Sequence, residues 1–348
     1  MSGLTARRSW WLAVVLLLSA CGQKEAQLHD TQLLVMGTLV NVSILDGDED
    51  VAAVATTEVE QRLRQMHRDL HAWQPGPLTR VNEAIASGES APVDTEKTML
   101  IERGTELSRQ SGGLFNPAIG NLIALWGFHS DDGPHGPPPD AAAIRSLLAQ
   151  APSMTDLHID DGRLRSDNPA VQLDFGGFAK GYAIDEAIRI LREHHIDNAI
   201  VNAGGDLRVI GRHGARPWRI GIRDPRGPGV IASVEVSGDE CVFTSGDYER
   251  YFEYQGRRYH HIIDPRSGYP AVGSSSVTVL SHEAIVADAA ATALFVAGPD
   301  TWAQTAKAMG IDQAMLIDDK GNVYMTPAMA KRTHFEVDPP PPIKVVVP

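Results

Sequence analysis

Gln172-Leu173-Asp174-Phe175-Gly176-Gly177-Phe178-Ala179-Lys180-Gly181-Tyr182-Ala183-Ile184-Asp185 is the stretch around which the chain is organised. An apolar, strand-like approach from Ala170 to Leu173 ends in an acid. Two glycines follow, and a helical pattern then opens with Lys180 near its start. Glycines between a strand and a helix let the backbone approach a ligand closely. The first N–H groups of the helix have no partner inside it, so the turn suits an anion. The same turn also serves tight packing, and a site needs partners from elsewhere in the chain.

On either side the periodicity is mixed. Tyr182 to His195 is amphipathic, with Ile184, Ala187, Ile188 and Leu191 on one face. Val51 to Trp73 reads as a helix whose stripe is Val59, Leu63, Met66, Leu70 and Trp73. Further helices are expected over 95–111, 141–150, 283–297 and 301–310. Thr31 to Leu45 reads as one strand, with the glycine of Met36-Gly37-Thr38 marking a bulge or a close approach. Hairpins are expected around Asp160-Asp161-Gly162 and around Gly204-Gly205. Short strands follow over 218–223, 231–236, 241–244, 251–254, 258–263 and 275–280, and a closing hairpin spans 313–325. The Pro/Gly-rich segment 131–140 carries His135 and three acids but reads as a solvated loop. No repeat or linker divides the chain, so the expected fold class is α+β, a single intertwined unit.

The N-terminus reads differently. Arg7 and Arg8 precede an apolar run from Trp10 to Leu18 that is too short for an ordinary membrane span. It ends in Leu18-Ser19-Ala20-Cys21-Gly22, which resembles a bacterial lipobox. The resemblance implies a signal peptide over 1–20, cleavage before a lipidated Cys21, and a tether over 21–30. The main unit is then expected over 31–330 and a proline-rich tail, disordered or extended, over 331–348. Such a protein would sit in the periplasm, lipid-anchored to the inner or outer membrane. The formal charge of −13 argues against a nucleic-acid partner, which requires a basic face. With Cys21 acylated, Cys241 has no cysteine partner and reads as a small buried hydrophobe in a strand.

Three further clusters carry chemical potential. Asp288 and Thr292 lie four residues apart on a nearly all-apolar helix, so their oxygens share a face. A carboxylate and a hydroxyl form part of a shell for Mg²⁺, although a buried Asp satisfied by backbone or arginine gives the same pattern. Tyr259-His260-His261-Ile262-Ile263-Asp264-Pro265-Arg266-Ser267-Gly268 places two histidines on opposite faces of a strand, one of which can face a site. Thr244-Ser245-Gly246-Asp247-Tyr248 is a polar turn after a buried strand. The tripeptide Asp174-Phe175-Gly176 also occurs in protein kinases, but neither their glycine-rich loop nor their His-Arg-Asp loop accompanies it.

Six motifs, in order, resemble the ApbE family of FAD:protein FMN transferases. They are Met36-Gly37-Thr38, the stretch Asp174 to Gly181, Asn202-Ala203-Gly204-Gly205-Asp206, Thr244-Ser245-Gly246-Asp247, His261 to Gly268, and Ala287-Asp288-Ala289-Ala290-Ala291-Thr292. The resemblance covers about residues 31–327. It implies an ApbE-type fold and Mg²⁺-dependent transfer of FMN from FAD to a Thr or Ser hydroxyl of an exported flavoprotein, with release of AMP. A subunit of a sodium-pumping quinone reductase is one such acceptor. It further implies Asp288, Thr292 and the carbonyl of Gly177 as metal ligands and His261 as the group assisting proton removal. Met36, Asp174, Lys180 and Ile262 match FAD-contacting positions, and Trp73 and Leu114-Phe115-Asn116 fall where the family contacts FAD. Phe175 and Phe178 read as packing. Two other activities are compatible with the same residues: hydrolysis of FAD to FMN and AMP, and flavin binding without chemistry.

Overall fold

The computed structural model describes residues 27–45, 47–130 and 133–348. The expected signal peptide and Cys21 lie outside them. The centre of the molecule is a nine-stranded sheet whose spatial order follows the chain. Its strands are β1 (Leu28–Val35), β2 (Thr38–Leu45), β3 (Ala199–Ala203), β4 (Asp206–Gly211), β5 (Gly238–Gly246), β6 (Ser274–Ser281), β7 (Gln313–Asp318), β8 (Val323–Met325) and β9 (Ile343–Val345). Successive strands pair antiparallel through β8, and β9 joins β8 in parallel. Everything else is inserted between these strands.

The insertion between β2 and β3 carries α1 (Glu49–Asp69), α2 (Pro77–Ala86), α3 (Thr95–Gln110), α4 (Gly120–Leu125), α5 (Ala141–Ala149) and α6 (Ala179–Glu193). Between β6 and β7 runs α7 (Ala284–Ala308), and α8 (Pro327–Arg332) follows β8. Strands with period-2 side chains bury both faces here. Along β4 to β7, Ile210, Cys241, Phe243, Val277, Val279, Ala314 and Leu316 join the core shared with α1, α6 and α7. The alternate residues Leu207, Val209, Val242, Leu280, Met315 and Ile317 pack against a second sheet, 218–223 with 230–236 and 333–335. α7 is long and apolar enough to cross a membrane, yet it packs against β5, β6 and α6. Gly298, at φ 69°, and Pro299 break it where the sequence predicts two helices.

Several expectations are corrected: the helix expected over 51–73, for one, ends at Asp69 and leaves Trp73 in the loop beyond it. Thr31 to Leu45 is not one strand: Met36 (φ 56°) and Gly37 (φ 70°) form a two-residue turn between β1 and β2. Two successive positive φ values match the twist of a hairpin, which a bulge would not require. The tether does not extend to residue 30, because β1 pairs from Leu28. The region after 330 is extended but belongs to the fold, since Thr333–Phe335 pairs with 232–234 and β9 pairs with β8. Finally, α2 was not anticipated, although Pro77 at its first turn and Leu78, Val81 and Ile85 at helical spacing are its signals.

Candidate active site

Three features meet at one end of the main sheet. The Met36–Gly37 turn lies beside the Gly204–Gly205 turn, because Gly204 donates to the Leu39 carbonyl at 3.1 Å. The end of β5 joins them, because the Thr244 N–H donates to Asp206 Oδ1 at 2.9 Å. Gly204 has φ 66°, and a Cβ there would stand 2.5 Å from Thr38 Oγ1, so this close approach requires glycine. The N-terminus of α6 faces the same end, where Lys180 Nζ pairs with Asp206.

α6 and α7 cross here and exchange carboxylates. Gly181 is in the first turn of α6, where N–H groups lack intrahelical partners. Its N–H donates to Asp288 Oδ2 at 2.8 Å. In return, Asp185 of α6 accepts from the Ala284 and Ile285 N–H groups of α7, both at 3.1 Å. Each acid therefore sits where the partner helix carries a partial positive charge. Arg208 ties Asp185 to the sheet and also binds Asp239 at 2.7 and 2.9 Å. The helices can touch because residue 181 is glycine: a Cβ would lie 2.4 Å from the Ala284 carbonyl oxygen.

These elements enclose a cavity of about 700 Å³, within the range of small-molecule and cofactor sites. Met36, Trp73, Leu114, Phe115, Asn116, Asp174, Gly177, Lys180, His261, Ile262, Asp288 and Thr292 all line it. The twelve come from six separate stretches of the chain. Thr244, Ser245 and Gly246 line it as well, whereas Asp247 of the same motif turns to Arg226, which it holds at 2.6 and 2.8 Å.

The electrostatics divide the groups. Asp288 is 6% exposed. Burial raises its pKa to about 7, against the pull of Lys180 and with repulsion from Asp206 and Asp185. Its Oδ1 receives no hydrogen bond among the described residues. Thr292 Oγ1, one turn on, is 3.4 Å from Ser245 Oγ. Two hard oxygens on one helix face, one belonging to a carboxylate that burial and neighbouring acids disfavour, fit a divalent cation such as Mg²⁺. No group of three or more His, Cys, Asp or Glu side chains gathers as a metal site among the described residues. The remaining ligands would have to be backbone and substrate oxygens.

Lys180 has its pKa raised, because the charges of Asp206 and Asp288 outweigh the burial that would lower it. It is a fixed cation paired within the protein, not a free phosphate lysine. His260 and His261 separate, but not by strand alternation: the strand expected over 258–263 ends at His260, and His261 lies just past it. His260 is buried and hydrogen-bonds the Ala271 carbonyl at 2.9 Å, while His261 faces the cavity. His261 Nδ1 lies 3.2 Å from the Arg250 carbonyl. A carbonyl only accepts, so the proton is on Nδ1 and Nε2 keeps its lone pair. Burial, with the charges of Arg250 and Lys180, drives the His261 pKa down to about 3, so the ring is neutral.

Asp174 holds two partners, the Gly176 N–H at 2.7 Å and His129 Nε2 at 2.7 Å. Burial alone would raise its pKa, but these bonds and the His129 charge hold it below the ordinary carboxylate value. Sequence reasoning did not single out His129, Asp206 or Asp185. Asp206 lies inside a quoted motif and Asp185 ends another, which was the available signal. His129 offered none, since its partners are 56 and 45 positions away.

Residues 36–316 match the model of the ApbE family. A FAD:protein FMN transferase of Rhodobacter capsulatus is 46% identical over 90% of this chain, which spans 60% of that relative's length. One from Treponema pallidum is 32% identical over 89% of this chain and 92% of its own length. A crystal structure of the ApbE protein from Thermotoga maritima superposes with a TM-score of 0.80 at 32% identity, covering 90% of this chain and all of that one. The chain belongs to the ApbE family, and its α+β fold is the ApbE type.

Proposed function

We propose that this protein is an FAD:protein FMN transferase that moves FMN onto a Thr or Ser hydroxyl of an exported flavoprotein. The observation that carries the reading is the meeting of Asp288, Thr292, Gly177 and His261 in one cavity with the aromatic and polar positions suited to a dinucleotide. In the reaction, the acceptor hydroxyl oxygen bonds to the phosphorus of the FMN half. The bond from that phosphorus to the bridging oxygen breaks, and AMP leaves with that oxygen. Such displacements depend on positioning and charge more than on covalent help from the protein.

The chain's own residues supply these terms. His261 Nε2 takes the hydroxyl proton, and its Nδ1 bond to the Arg250 carbonyl holds the ring in the accepting tautomer. Its pKa near 3 makes it a weak base, and the negative phosphates of a bound dinucleotide would raise it. Lys180, kept charged by Asp206, adds positive potential along the cavity wall. Trp73 offers a ring face to flavin or adenine. Asp288, Thr292 and the carbonyl of Gly177 would hold Mg²⁺, which when bound offsets the charge gathering on the phosphates during displacement.

The acceptor is a protein with a Thr or Ser flavinylation site, of the kind carried by subunits of a sodium-pumping quinone reductase. Anchoring through a lipidated Cys21 would keep the enzyme beside such membrane complexes. A Cys21→Ser variant that still fractionates entirely with membranes would contradict the anchor. The activity is tested by mixing the protein with FAD, Mg²⁺ and an acceptor domain, then reading flavin fluorescence on a denaturing gel. Covalent flavin on the acceptor is expected. AMP release without covalent flavin would show hydrolysis instead, and intact FAD throughout would show binding alone.

A further inference from the structure

His129 is set back from the cavity, whose wall at this point is formed by Phe128, Ser130 and Trp73. Its side chain is 7% exposed and makes two contacts of different kinds. The ring stacks on Trp73, with centroids 4.8 Å apart and planes at 19°. Its Nε2 hydrogen-bonds Asp174 Oδ2 at 2.7 Å. Trp73 and Asp174 both line the cavity, and they come from sites about a hundred residues apart in sequence. Each has one further tie. His71 meets the indole edge-on with centroids 4.3 Å apart, and its Nδ1 accepts the Gln74 N–H at 3.1 Å. Asp174 Oδ1 accepts the Gly176 N–H, which fixes the turn leading to Gly177.

We infer that His129 is a positioning residue of the flavin-nucleotide site, a single side chain that sets both the plane of Trp73 and the direction of the Asp174 carboxylate. Stacking holds one face of the indole against the imidazole, so losing His129 would release the plane of a ring that lines the cavity. The hydrogen bond engages Oδ2 and the Gly176 N–H engages Oδ1, so a ligand meets only the lone-pair capacity that these two donors leave. The two contacts act together: a rotation of the imidazole that keeps one loses the other. The inference rests on the proposed FMN transfer for the ligand's identity, but not for the positioning itself.

Two variants separate the contacts. His129→Phe keeps a ring for Trp73 and leaves Asp174 a buried carboxylate without its side-chain partner. His129→Gln keeps a donor for Asp174 and cannot stack. FAD affinity is measured from quenching of flavin fluorescence, and KM and kcat come from FMN transfer at varied FAD. Leaving Asp174 Oδ2 without its donor is expected to weaken FAD binding about ten- to a hundred-fold in His129→Phe. Losing the stack is expected to weaken it about three- to ten-fold in His129→Gln. Because His129 touches no reacting atom, kcat at saturating FAD should stay within about threefold of wild type. Wild-type FAD affinity in both variants would overturn the inference, as would a fall in kcat with KM unchanged. Thermal melts identify a variant that does not fold, in which case the other variant's affinity decides. Wild-type protein that binds FAD without transferring FMN would refute the functional reading, while the affinities would still decide the role of His129.

Discussion

Replacing Gly181 with alanine tests whether the α6–α7 crossing and the site are one construction. A new Cβ would lie 2.4 Å from the Ala284 carbonyl oxygen, 2.6 Å from its carbon and 2.8 Å from Ile285 Cα. All three are backbone atoms, so no side chain can swing aside, and α7 must retreat by roughly 1 Å to restore contact distances. Overpacking of this kind costs ~1–3 kcal/mol, or more where backbone must shift. Alanine returns ~1 kcal/mol of helix propensity. The expected net loss of ~1–2 kcal/mol corresponds to a fall in Tm of about 2–6 °C. The functional effect should be larger. Asp288 lies one turn beyond Ala284, so the same retreat stretches its 2.8 Å bond to the Gly181 N–H past hydrogen-bonding range. A ~1 Å misplacement of a site group can cost about a hundredfold in rate. Melting curves and Mg²⁺-dependent FMN transfer read the two effects. A Gly181→Ala protein that melts at or above wild type with full activity, as a glycine in an exposed helix would allow, would refute the reasoning.

Other perturbations follow from the same geometry. Because burial raises the Asp288 carboxyl to about 7, its ionisation opposes folding: the penalty is absent below pH ~4 and full above the folded value. Metal-free Asp288→Asn should therefore be more stable than wild type at pH 8 by ~2–4 kcal/mol, with the gap closing as pH falls to about 4; a constant gap would contradict this. Mg²⁺ should raise the Tm of wild type but not of that variant, and Mg²⁺ affinity should drop below pH 7 as protons compete. His261→Ala should slow transfer ~10²–10⁴-fold with FAD affinity within about twofold, and equal losses in both would place the ring in binding instead. Since His261 is held neutral down to about pH 3, kcat/KM should show no acidic limb that disappears with this residue. Asp185→Ala removes both acceptors at the start of α7 and should lower stability by ~1–2 kcal/mol, with Asp185→Asn recovering about half; indifference to both would deny it a capping role.

Local signals carried much of this protein. The stripe Val59, Leu63, Met66 stood out because a helix against a sheet buries one face, and these three are at most 2% exposed. The glycine pairs and Asp-Gly turns marked hairpins because only certain residues accept positive φ. Met36-Gly37 was misread because the alternation of Thr31 to Leu45 runs smoothly through it, and only the second of its two left-handed residues is a glycine. The residues that line the cavity were legible as short motifs, yet their chemistry was not. Lys180 looks like a phosphate ligand until Asp206 is seen to hold it. Asp174 looks like a free carboxylate until His129 does. Both partners are brought in by sheet pairing and loop packing across dozens of residues, which no local periodicity encodes.

That gap has a physical pattern. Asp206, Asp174 and Asp288 each satisfy a donor needed by the fold. Asp206 accepts from the Thr244 N–H with one oxygen and Lys180 with the other. Asp174 anchors the Gly176 turn. Asp288 gives Oδ2 to the first turn of α6 and leaves Oδ1 to the cavity. A buried carboxylate is tolerated only with such donors, so the bonds that fix these acids also make a concentration of negative charge stable in the interior. A cation can then enter a site whose ligands are already oriented, and less ordering is required when it binds. Removing the structural donor should therefore weaken metal binding even though the ligand itself is untouched. Gly181→Pro is read against Gly181→Ala, because both bring the Cβ that displaces α7 and only the proline also deletes the N–H. If Mg²⁺ raised the Tm of a folded Gly181→Pro protein as much as that of wild type, the oxygens of Asp288 would be oriented by something other than α6.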